Sequence, residues 1–279
     1  MSIARLMQMA RAGVPAGGGD VWIDPDLANA SYDGVSFSVA GQESVPMGLF
    51  FKPDGTKLYV TGEGSDNVYE YSLSTAWDIS TTSYVQALNV SGQDTRPQGL
   101  FLSSDGMTLY VVGIQNNSIY EYSLSTAWDI STASLSNTLN VSAQDTSPRG
   151  LFFSADGSKL YVAGDGGNTI LQYNMSVAWS TATASYVQNF SVSAQDANIQ
   201  DVFLNPDGTK MFVVGVQSDS VHQYSLSTGF DLSSASYDSV SFSVTSQAGV
   251  ATAITFKSDG SKMYVLDIAT DTIYQYSTA

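Results

Sequence analysis

The sequence GLFFKPDGTKLYV, at residues 48–60, recurs in altered form four more times, and this repetition decides the fold. The other copies are GLFLSSDGMTLYV (99–111), GLFFSADGSKLYV (150–162), DVFLNPDGTKMFV (201–213) and AITFKSDGSKMYV (253–265). The aspartates of their Asp-Gly pairs stand at positions 54, 105, 156, 207 and 259, so the period is 51 or 52 residues. Self-similarity at a fixed period is typical of a fold that repeats one supersecondary unit. The sequence therefore predicts five such units after residue 25.

Each copy predicts four β-strands. In the first copy, residues 48–51 form an apolar run without alternation, as expected of a strand that is buried on both faces. Asp54-Gly55 then predicts a tight hairpin into a second strand at 57–61, because glycine readily adopts a positive φ. A third strand is predicted at 68–73 and a fourth near 84–90. Four-stranded units without helical periodicity predict an all-β protein, a β-propeller with antiparallel blades.

The two ends of the chain predict how the propeller closes. The fifth copy ends after its third strand, at residue 279. Residues 26–42 (DLANASYDGVSFSVAGQ) closely match residues 231–247 (DLSSASYDSVSFSVTSQ), which include a fourth strand. We therefore expect the N-terminal strand to pair with the C-terminal blade and to close a five-bladed ring over residues 26–279, which removes exposed strand edges. The alternative is an open solenoid, in which such an exchange between the termini would serve no purpose.

The composition excludes several classes of function. Hydrophobic residues make up 43% of the chain, enough for a sizeable core, and the absence of cysteine excludes disulfides and thiolate metal sites. A net charge of −16 makes nucleic acids and anionic membranes poor partners, and no apolar run is long enough for membrane insertion. His222 is the single histidine, so a histidine-rich metal site is excluded. We predict no cofactor and no bound metal.

The loops that enter the first strands carry recurrent polar residues, and propeller geometry places these loops on one rim. The candidate ligand-binding residues on this rim are Gln42, Gln93, Asp94, Gln144, Asp145, Gln195 and Asp196, together with Arg149 at a position that differs between copies. Two interpretations stay open. Either these side chains satisfy backbone donors of the turns, or they form a polar ligand rim or a set of weak cation sites. The loops lack the DxDxDG spacing of calcium sites, which disfavours calcium.

No catalytic residue is predicted. Asp201 is the only acidic residue among the starts of the five copies, and glycoside hydrolysis usually requires a second carboxyl group. Lactonase-like propellers hold a metal in the channel with histidines nearby, whereas His222 takes the place of Tyr69 on a third strand. Trp77, which recurs as an aromatic residue in three further copies, either stacks on sugars or packs the connection before the fourth strand.

Residues 1–25 predict an N-terminal docking arm. Ser2 is a suitable helix cap, and the apolar residues of the following helix recur at helical spacing. These anchoring residues are Ile3, Leu6, Met7 and Ala10. A glycine-rich stretch at 16–19 then predicts a flexible tether. The arm is expected to remain on the protein, since Gln8 and Arg11 interrupt the apolar run that a secretory signal requires. An irregular start of the chain is the alternative.

The repeat resembles known propeller families. PDGTKLYV (53–60) and YSLSTAWDIST (71–81) are similar to YVTN/NHL-type β-propeller repeats, and more particularly to propeller repeats in virion proteins of marine tailed bacteriophages. SIARLMQMARAG (2–13), followed by glycines, resembles the start of appendage and tail proteins in those phages. The resemblance implies a non-enzymatic structural protein of a tailed phage, in a tail, baseplate or capsid appendage.

The expected location is therefore the virion, an extracellular particle. The arm would anchor the chain to other virion proteins, in several copies per particle, and the propeller would contact a host-surface glycan or protein or decorate the particle. The alternative is a secreted or cell-surface propeller that binds carbohydrate in the manner of a lectin.

Overall fold

Each of the five sequence copies forms one antiparallel four-stranded sheet in the computed structural model, which describes residues 21–279. Strand β1 (Ser31–Ser38) precedes the first blade. The complete blades are β2–β5 (Pro46–Phe51, Lys57–Gly62, Asn67–Leu73, Thr82–Asn89), β6–β9 (Pro97–Leu102, Thr108–Gly113, Ser118–Leu124, Ala133–Asn140), β10–β13 (Pro148–Phe153, Lys159–Gly164, Thr169–Met175, Ala184–Ser191) and β14–β17 (Ile199–Leu204, Lys210–Gly215, Ser220–Leu226, Ala235–Ser243). The fifth blade contains β18 (Ala251–Phe256), β19 (Lys262–Asp267) and β20 (Thr272–Ser277).

Short 3₁₀ turns precede every fourth strand. They span Leu27–Asn29, Ile79–Thr81, Ile130–Thr132, Thr181–Thr183 and Leu232–Ser234. In three of them an aspartate begins the turn and its side chain accepts a hydrogen bond from the backbone two residues later, as Asp78 does from Ser80. Each turn also buries its first residue, for example Ile79. The turn therefore fixes the end of the connection against the blade before the last strand begins.

The Asp-Gly hairpins form as the sequence predicts. Asp54 Oδ1 accepts hydrogen bonds from the backbone N–H of Thr56 at 3.0 Å and from its hydroxyl at 2.6 Å. Gly55 has a φ of +72°, and a Cβ at this residue would lie 2.4 Å from the indole of Trp77. Glycine is therefore required twice here, for the backbone angle and for the close approach of the ring. The interpretation of Trp77 as a packing residue agrees with this contact.

The five sheets close into a ring around a central channel. The first strands contact one another in the order β2, β6, β10, β14, β18 and back to β2. The hydrophobic core lies between neighbouring blades. One cluster combines Leu49 and Phe51 of the first blade with Tyr264, Leu266 and Ile273 of the fifth. The five-bladed propeller is therefore confirmed, and the open solenoid is excluded.

The N-terminal strand seals the ring as predicted. β1 pairs antiparallel with β20, from Ser31 opposite Ser277 to Ser38 opposite Thr272. The register shifts between Tyr32 and Val35, and β17 shows the same irregularity against β16. The N-terminal strand thus reproduces a fourth strand in detail, with an equivalent bulge.

A partly buried ion pair fastens this strand to its blade. Asp33 accepts hydrogen bonds from Lys262 Nζ at 2.6 Å, Gln275 Nε2 at 2.8 Å and Ser277 Oγ at 2.5 Å. Burial by itself would raise the pKa of Asp33, but these donors outweigh it and hold the pKa below its usual value. The ionised form of Asp33 therefore stabilises the closed ring. Asp238 makes the equivalent contacts in the fourth blade.

We expect Asp33→Asn to lower the free energy of unfolding by about 1–2 kcal/mol at neutral pH, because Lys262 loses its charged partner. A carboxyl group with a depressed pKa stabilises the fold above the pKa of the unfolded chain, about 3.9, and loses this contribution as the pH falls through the lower, folded value. The difference between the variant and the wild type should therefore shrink below about pH 4. Urea denaturation across this pH range measures it. Asp66→Asn, in the turn between β3 and β4, is the matched control, and an equal loss there would contradict the assignment.

Candidate functional site

The channel opens at the hairpin end into a cavity of about 300 Å³. Its walls are the C-terminal halves of the first strands, the Asp-Gly hairpins and the connections before the fourth strands. The residues that line it in the described part of the chain are mainly aromatic and aliphatic: Trp22, Phe50, Phe51, Trp77, Phe101, Phe152, Phe153, Trp179, Phe203, Phe230 and Phe256 among them. A concave apolar cavity with a few polar groups is the usual form of a small-molecule site.

Four phenylalanines form an arc of edge-to-face contacts around this end of the channel. The ring centroids of Phe50 and Phe101 are 4.9 Å apart, those of Phe101 and Phe152 5.6 Å, and those of Phe152 and Phe203 5.2 Å. All four are equivalent in the repeat and stay partly exposed. They therefore present apolar ring surface to whatever occupies the cavity.

Trp22 completes the aromatic wall at the fifth blade. Its indole lies 6.0 Å from Phe203 and 6.1 Å from Phe256, just as the indole of Trp179 lies against Phe101 and Phe153. Sequence reasoning missed this role because Trp22 stands three residues before the position that aligns with Trp77. In the structure, a backbone hydrogen bond from Ile23 to Asp259 replaces the one from Trp77 to Gly55, and it places Trp22 beside the fifth hairpin.

Two departures from the repeat meet on neighbouring strands in this cavity. Asp201 on β14 replaces the glycine of the first three blades, and Thr255 on β18 replaces the phenylalanine of the other four. Both line the cavity, and the Asp201 carboxylate binds the backbone N–H of Ile254, next to Thr255. The Thr255 hydroxyl forms none of the hydrogen bonds found within residues 21–279, although only 8% of the residue is exposed. The fivefold repetition is thus broken at two polar side chains that line the same cavity from neighbouring strands.

Asp201 is almost fully buried yet forms no ion pair with any residue in 21–279. Its Oδ1 accepts a hydrogen bond from the backbone of Val202 at 2.8 Å, and its Oδ2 from that of Ile254 at 3.0 Å. Burial raises the pKa of this carboxyl to about 7, although both backbone donors act in the opposite direction. At neutral pH the group is therefore present in both its acid and its base form.

The opposite end of the channel is polar. Arg149 donates hydrogen bonds to Gln98 Oε1 at 2.9 Å and to Asp165 Oδ2 at 3.1 Å. Gln98 also donates to Glu63. These residues bind one another, so the predicted ligand residue Arg149 is held within a network. Its role as a ligand residue remains a prediction.

The predicted rim carboxylates lie buried beneath the loops. Asp94 accepts hydrogen bonds from the backbone of Arg96 at 2.9 Å and of Asn116 at 3.0 Å. Asp145 does the same for Ser147 and Gly167, Asp196 for Asn198 and Ser218, and Glu43 for Val45 and Gly64. This arrangement matches the first of the two interpretations, in which the side chains satisfy backbone donors. A ligand role for these residues stays a prediction.

The predicted rim glutamines are half-buried below the same loops. Three of them accept a hydrogen bond from a third-strand tyrosine: Gln93 from Tyr122 at 3.0 Å, Gln144 from Tyr173 at 3.3 Å and Gln195 from Tyr224 at 3.1 Å. Gln42 lies at the equivalent place before β2. These three glutamines thus join the rim loops to the blades, whereas the hydroxyl of Tyr71 in the first blade has no such bond.

In the fifth blade, the acidic residue that accepts the backbone hydrogen bonds of the rim loop stands at the exchanged position. Where the other blades pair an acidic residue with a glycine, such as Asp94 with Gly113, the fifth has Ala248 and Asp267. Asp267 accepts hydrogen bonds from the backbone of Val250 at 2.8 Å and of Thr270 at 2.9 Å. A Cβ on Gly113 would lie 2.3 Å from the carboxyl carbon of Asp94, so an acidic residue cannot occupy both positions.

We expect Asp267→Gly to lower the free energy of unfolding by about 2–3 kcal/mol, because the backbone donors of Val250 and Thr270 lose their acceptor. Adding Ala248→Asp to that variant should restore most of the loss, since it recreates the arrangement of the other blades. Ala248→Asp alone should destabilise the wild type through crowding and charge repulsion. Guanidinium denaturation of the four proteins gives the coupling energy, and additive effects would disprove the exchange.

Other candidate residues fall outside the cavity or outside the described residues. The anchoring residues Ile3, Leu6, Met7 and Ala10 of the predicted arm belong to positions 1–20, which are not among the described residues. His222 lies on β16, and burial lowers its pKa. Within residues 21–279, no group of three or more histidine, aspartate and glutamate side chains is arranged to hold a metal ion. No helix in that range has the length and apolarity to cross a bilayer.

Comparison with protein families identifies the repeat. A family described as lactonase, 7-bladed β-propeller, matches residues 35–195, which include three complete blades. The chain belongs to this lactonase family. Its family is described by seven blades, whereas the chain closes with five. No curated protein matches the sequence.

Two solved structures share the fold at low identity. A putative 6-phosphogluconolactonase from Bacteroides fragilis has a TM-score of 0.55 and 14% identity over 83% of this chain and 80% of its own. One from Bacteroides uniformis has a TM-score of 0.52 and 12% identity, over 82% and 65%. A protein from Lactobacillus plantarum has a TM-score of 0.49 and 22% identity over 71% of this chain. The chain spans only 55% of that last protein's length.

Family membership corrects the predicted function. The prediction of a non-enzymatic phage structural protein is wrong, and so is the virion location, because the repeat is that of a lactonase family. A docking role of the N-terminal arm stays a prediction. The lectin-like alternative falls on the same finding. The resemblance to β-propeller proteins is confirmed, while none of the matches described above is a phage protein. The prediction required histidines or a second carboxyl group for catalysis, and it did not include the burial of Asp201, which raises the pKa of this carboxyl.

Proposed function

We propose that this protein hydrolyses a lactone in the aromatic cavity, with Asp201 as the residue that activates water. The observation that carries the proposal is the buried Asp201 carboxyl, which lines the cavity and has a pKa raised to about 7. A general base or acid works best when its pKa lies near the working pH. Membership of a lactonase family supports the choice of substrate.

The reaction requires one proton to be moved twice. The Asp201 carboxylate accepts a proton from water as the water oxygen bonds to the lactone carbonyl carbon. The resulting tetrahedral intermediate carries negative charge on the former carbonyl oxygen. When the bond between that carbon and the ring oxygen breaks, the protonated Asp201 returns the proton to the ring oxygen. The product is the open-chain hydroxy acid, and Asp201 is again a carboxylate.

A single carboxyl group is sufficient for this sequence. Each oxygen of Asp201 uses one lone pair to accept a backbone hydrogen bond from Val202 or Ile254, which leaves lone pairs for water. The ring oxygen stays tethered to the rest of the substrate, so the leaving group remains close to the carboxyl that protonates it. The second carboxyl group that glycosidases require is therefore unnecessary here.

Thr255 is placed to stabilise the intermediate. Its hydroxyl lies in the same cavity, on the strand next to Asp201, and has no hydrogen-bond partner within the described chain. A donor that is free before the reaction can bind the developing oxyanion without giving up an earlier bond. The family match ends before Asp201, so the roles of these two residues rest on the geometry of the cavity.

We expect Asp201→Asn to abolish most lactone hydrolysis while the protein remains folded. The amide can still accept a backbone hydrogen bond but cannot take a proton from water. In the wild type kcat should rise with pH around an apparent pKa of about 7, as the carboxylate form becomes populated. A pH-stat assay that follows acid release from δ-valerolactone, glucono-δ-lactone and δ-decalactone measures both effects.

Two controls make this result specific. Glu63→Gln makes the same carboxyl-to-amide change at the opposite end of the channel and should leave kcat unchanged. A raised folded pKa means that the wild type loses stability as the pH rises from about 4 to about 7, because the unfolded chain ionises first, so the stability of Asp201→Asn relative to the wild type should increase over this range. Full activity in a folded Asp201→Asn protein would refute the proposal.

Thr255→Val should lower kcat by roughly 10- to 100-fold, because the intermediate loses a hydrogen-bond donor while the side chain keeps its shape. KM should change much less, since the donor acts on charge that develops during the reaction. Thr255→Ser keeps the hydroxyl and should retain most of the activity. Equal kcat in the valine and serine variants would show that the hydroxyl takes no part.

A further inference from the structure

The lining of the cavity restricts the charge of its ligand. Asp201 and Lys257 are the only charged side chains that line it in the described chain. Lys257 is already paired, with its Nζ 2.6 Å from Asp259 Oδ2. Within residues 21–279, the cavity lining therefore contains no unpaired cation that could bind a phosphate or carboxylate group of a ligand. The carboxylate form of Asp201 would in addition repel an anion held near it.

We propose that the substrate is an uncharged lactone that carries a hydrocarbon or aromatic substituent. This inference rests on the proposed lactone hydrolysis and names the class of substrate. Polyhydroxylated or phosphorylated lactones would lose hydrogen bonds to water on entering a cavity walled by phenylalanine rings. A hydrocarbon substituent gains from the same transfer, because it leaves water for an apolar surface.

The size and shape of the cavity agree with a substituted ring. A volume of about 300 Å³ lies at the lower end of the range for small-molecule sites, and it exceeds the space that a bare six-membered lactone requires. The lactone ring belongs next to Asp201 and Thr255, where the polar groups are. The substituent then extends toward the hairpin end, between the arc of phenylalanines and the indoles.

Trp22 is the wall residue through which the fifth blade contributes to specificity. Its indole contacts Phe203 and Phe256, and its Nε1 donates to Asp24 Oδ1 at 3.0 Å, which fixes the ring. Unlike the other indoles, Trp22 belongs to the segment before the closing strand. Removing it should open the cavity beside Phe203 without touching the reacting groups.

The first experiment compares lactones that share a six-membered ring. We expect kcat/KM for δ-decalactone to exceed that for δ-valerolactone by tenfold or more, since each buried methylene strengthens binding about fourfold. Glucono-δ-lactone and its 6-phosphate should be poorer substrates than δ-valerolactone. Trp22→Ala and Phe101→Leu should each lower the ratio of kcat/KM for δ-decalactone to kcat/KM for δ-valerolactone at least threefold. Met107→Ala, an exposed hairpin variant outside the cavity, is the matched control.

The second experiment measures binding without hydrolysis. The lactam analogue of δ-decalactone should quench or shift the tryptophan fluorescence of both wild type and Asp201→Asn, and Trp22→Ala and Phe101→Leu should weaken its binding. Preferred hydrolysis of glucono-δ-lactone or its phosphate would overturn the inferred substrate class and leave lactone hydrolysis standing. Binding of the lactam without hydrolysis of any lactone would refute the proposed function and with it the substrate assignment. If the lactam does not bind and no lactone is hydrolysed, both proposals are overturned.

Discussion

The pairing of β1 with β20 is the interaction on which the rest of the structure depends. Four blades complete themselves from consecutive sequence, but the fifth has only three strands until residues 31–38 join it. Without this pairing, β20 would expose an unpaired edge and the interblade core between the fifth and first blades would lose its support. A closed ring of blades fixes the channel, the arc of four phenylalanines and the relative positions of β14 and β18.

The sequence predicts the fold well because the repeat supplies the same evidence five times. The Asp-Gly pairs locate every hairpin, and the match of residues 26–42 to 231–247 locates the closing strand. The candidate site is harder to predict, because it consists of the positions where the repeat fails. Asp201 was visible as the only acidic residue at its position, but its raised pKa depends on burial by the neighbouring blades, which a sequence does not display. The role of Trp22 in the cavity wall could not be predicted because this residue lies outside the register of the repeat.

The same internal comparison separates structural from functional polarity. The rim carboxylates recur in four blades. In the fifth, Ala248 stands in place of the carboxylate and Asp267 in place of the glycine, as expected of a group that satisfies backbone donors from either position. Asp201 and Thr255 have no counterpart in any other blade. A repeat protein thus provides its own reference: what the fold needs recurs from unit to unit, and a departure that the fold does not explain marks a candidate for function. The family, although described by seven blades, thus includes a chain that closes with five.

The position of Trp22 ties occupancy of the cavity to the integrity of the seam between the chain's two ends. The residue lies only nine positions before β1 and rests on rings of the fourth and fifth blades. A molecule that contacts this indole binds the sealed ring and not a ring whose first strand has peeled away. By mass action it shifts the balance toward the sealed form in proportion to the logarithm of its concentration.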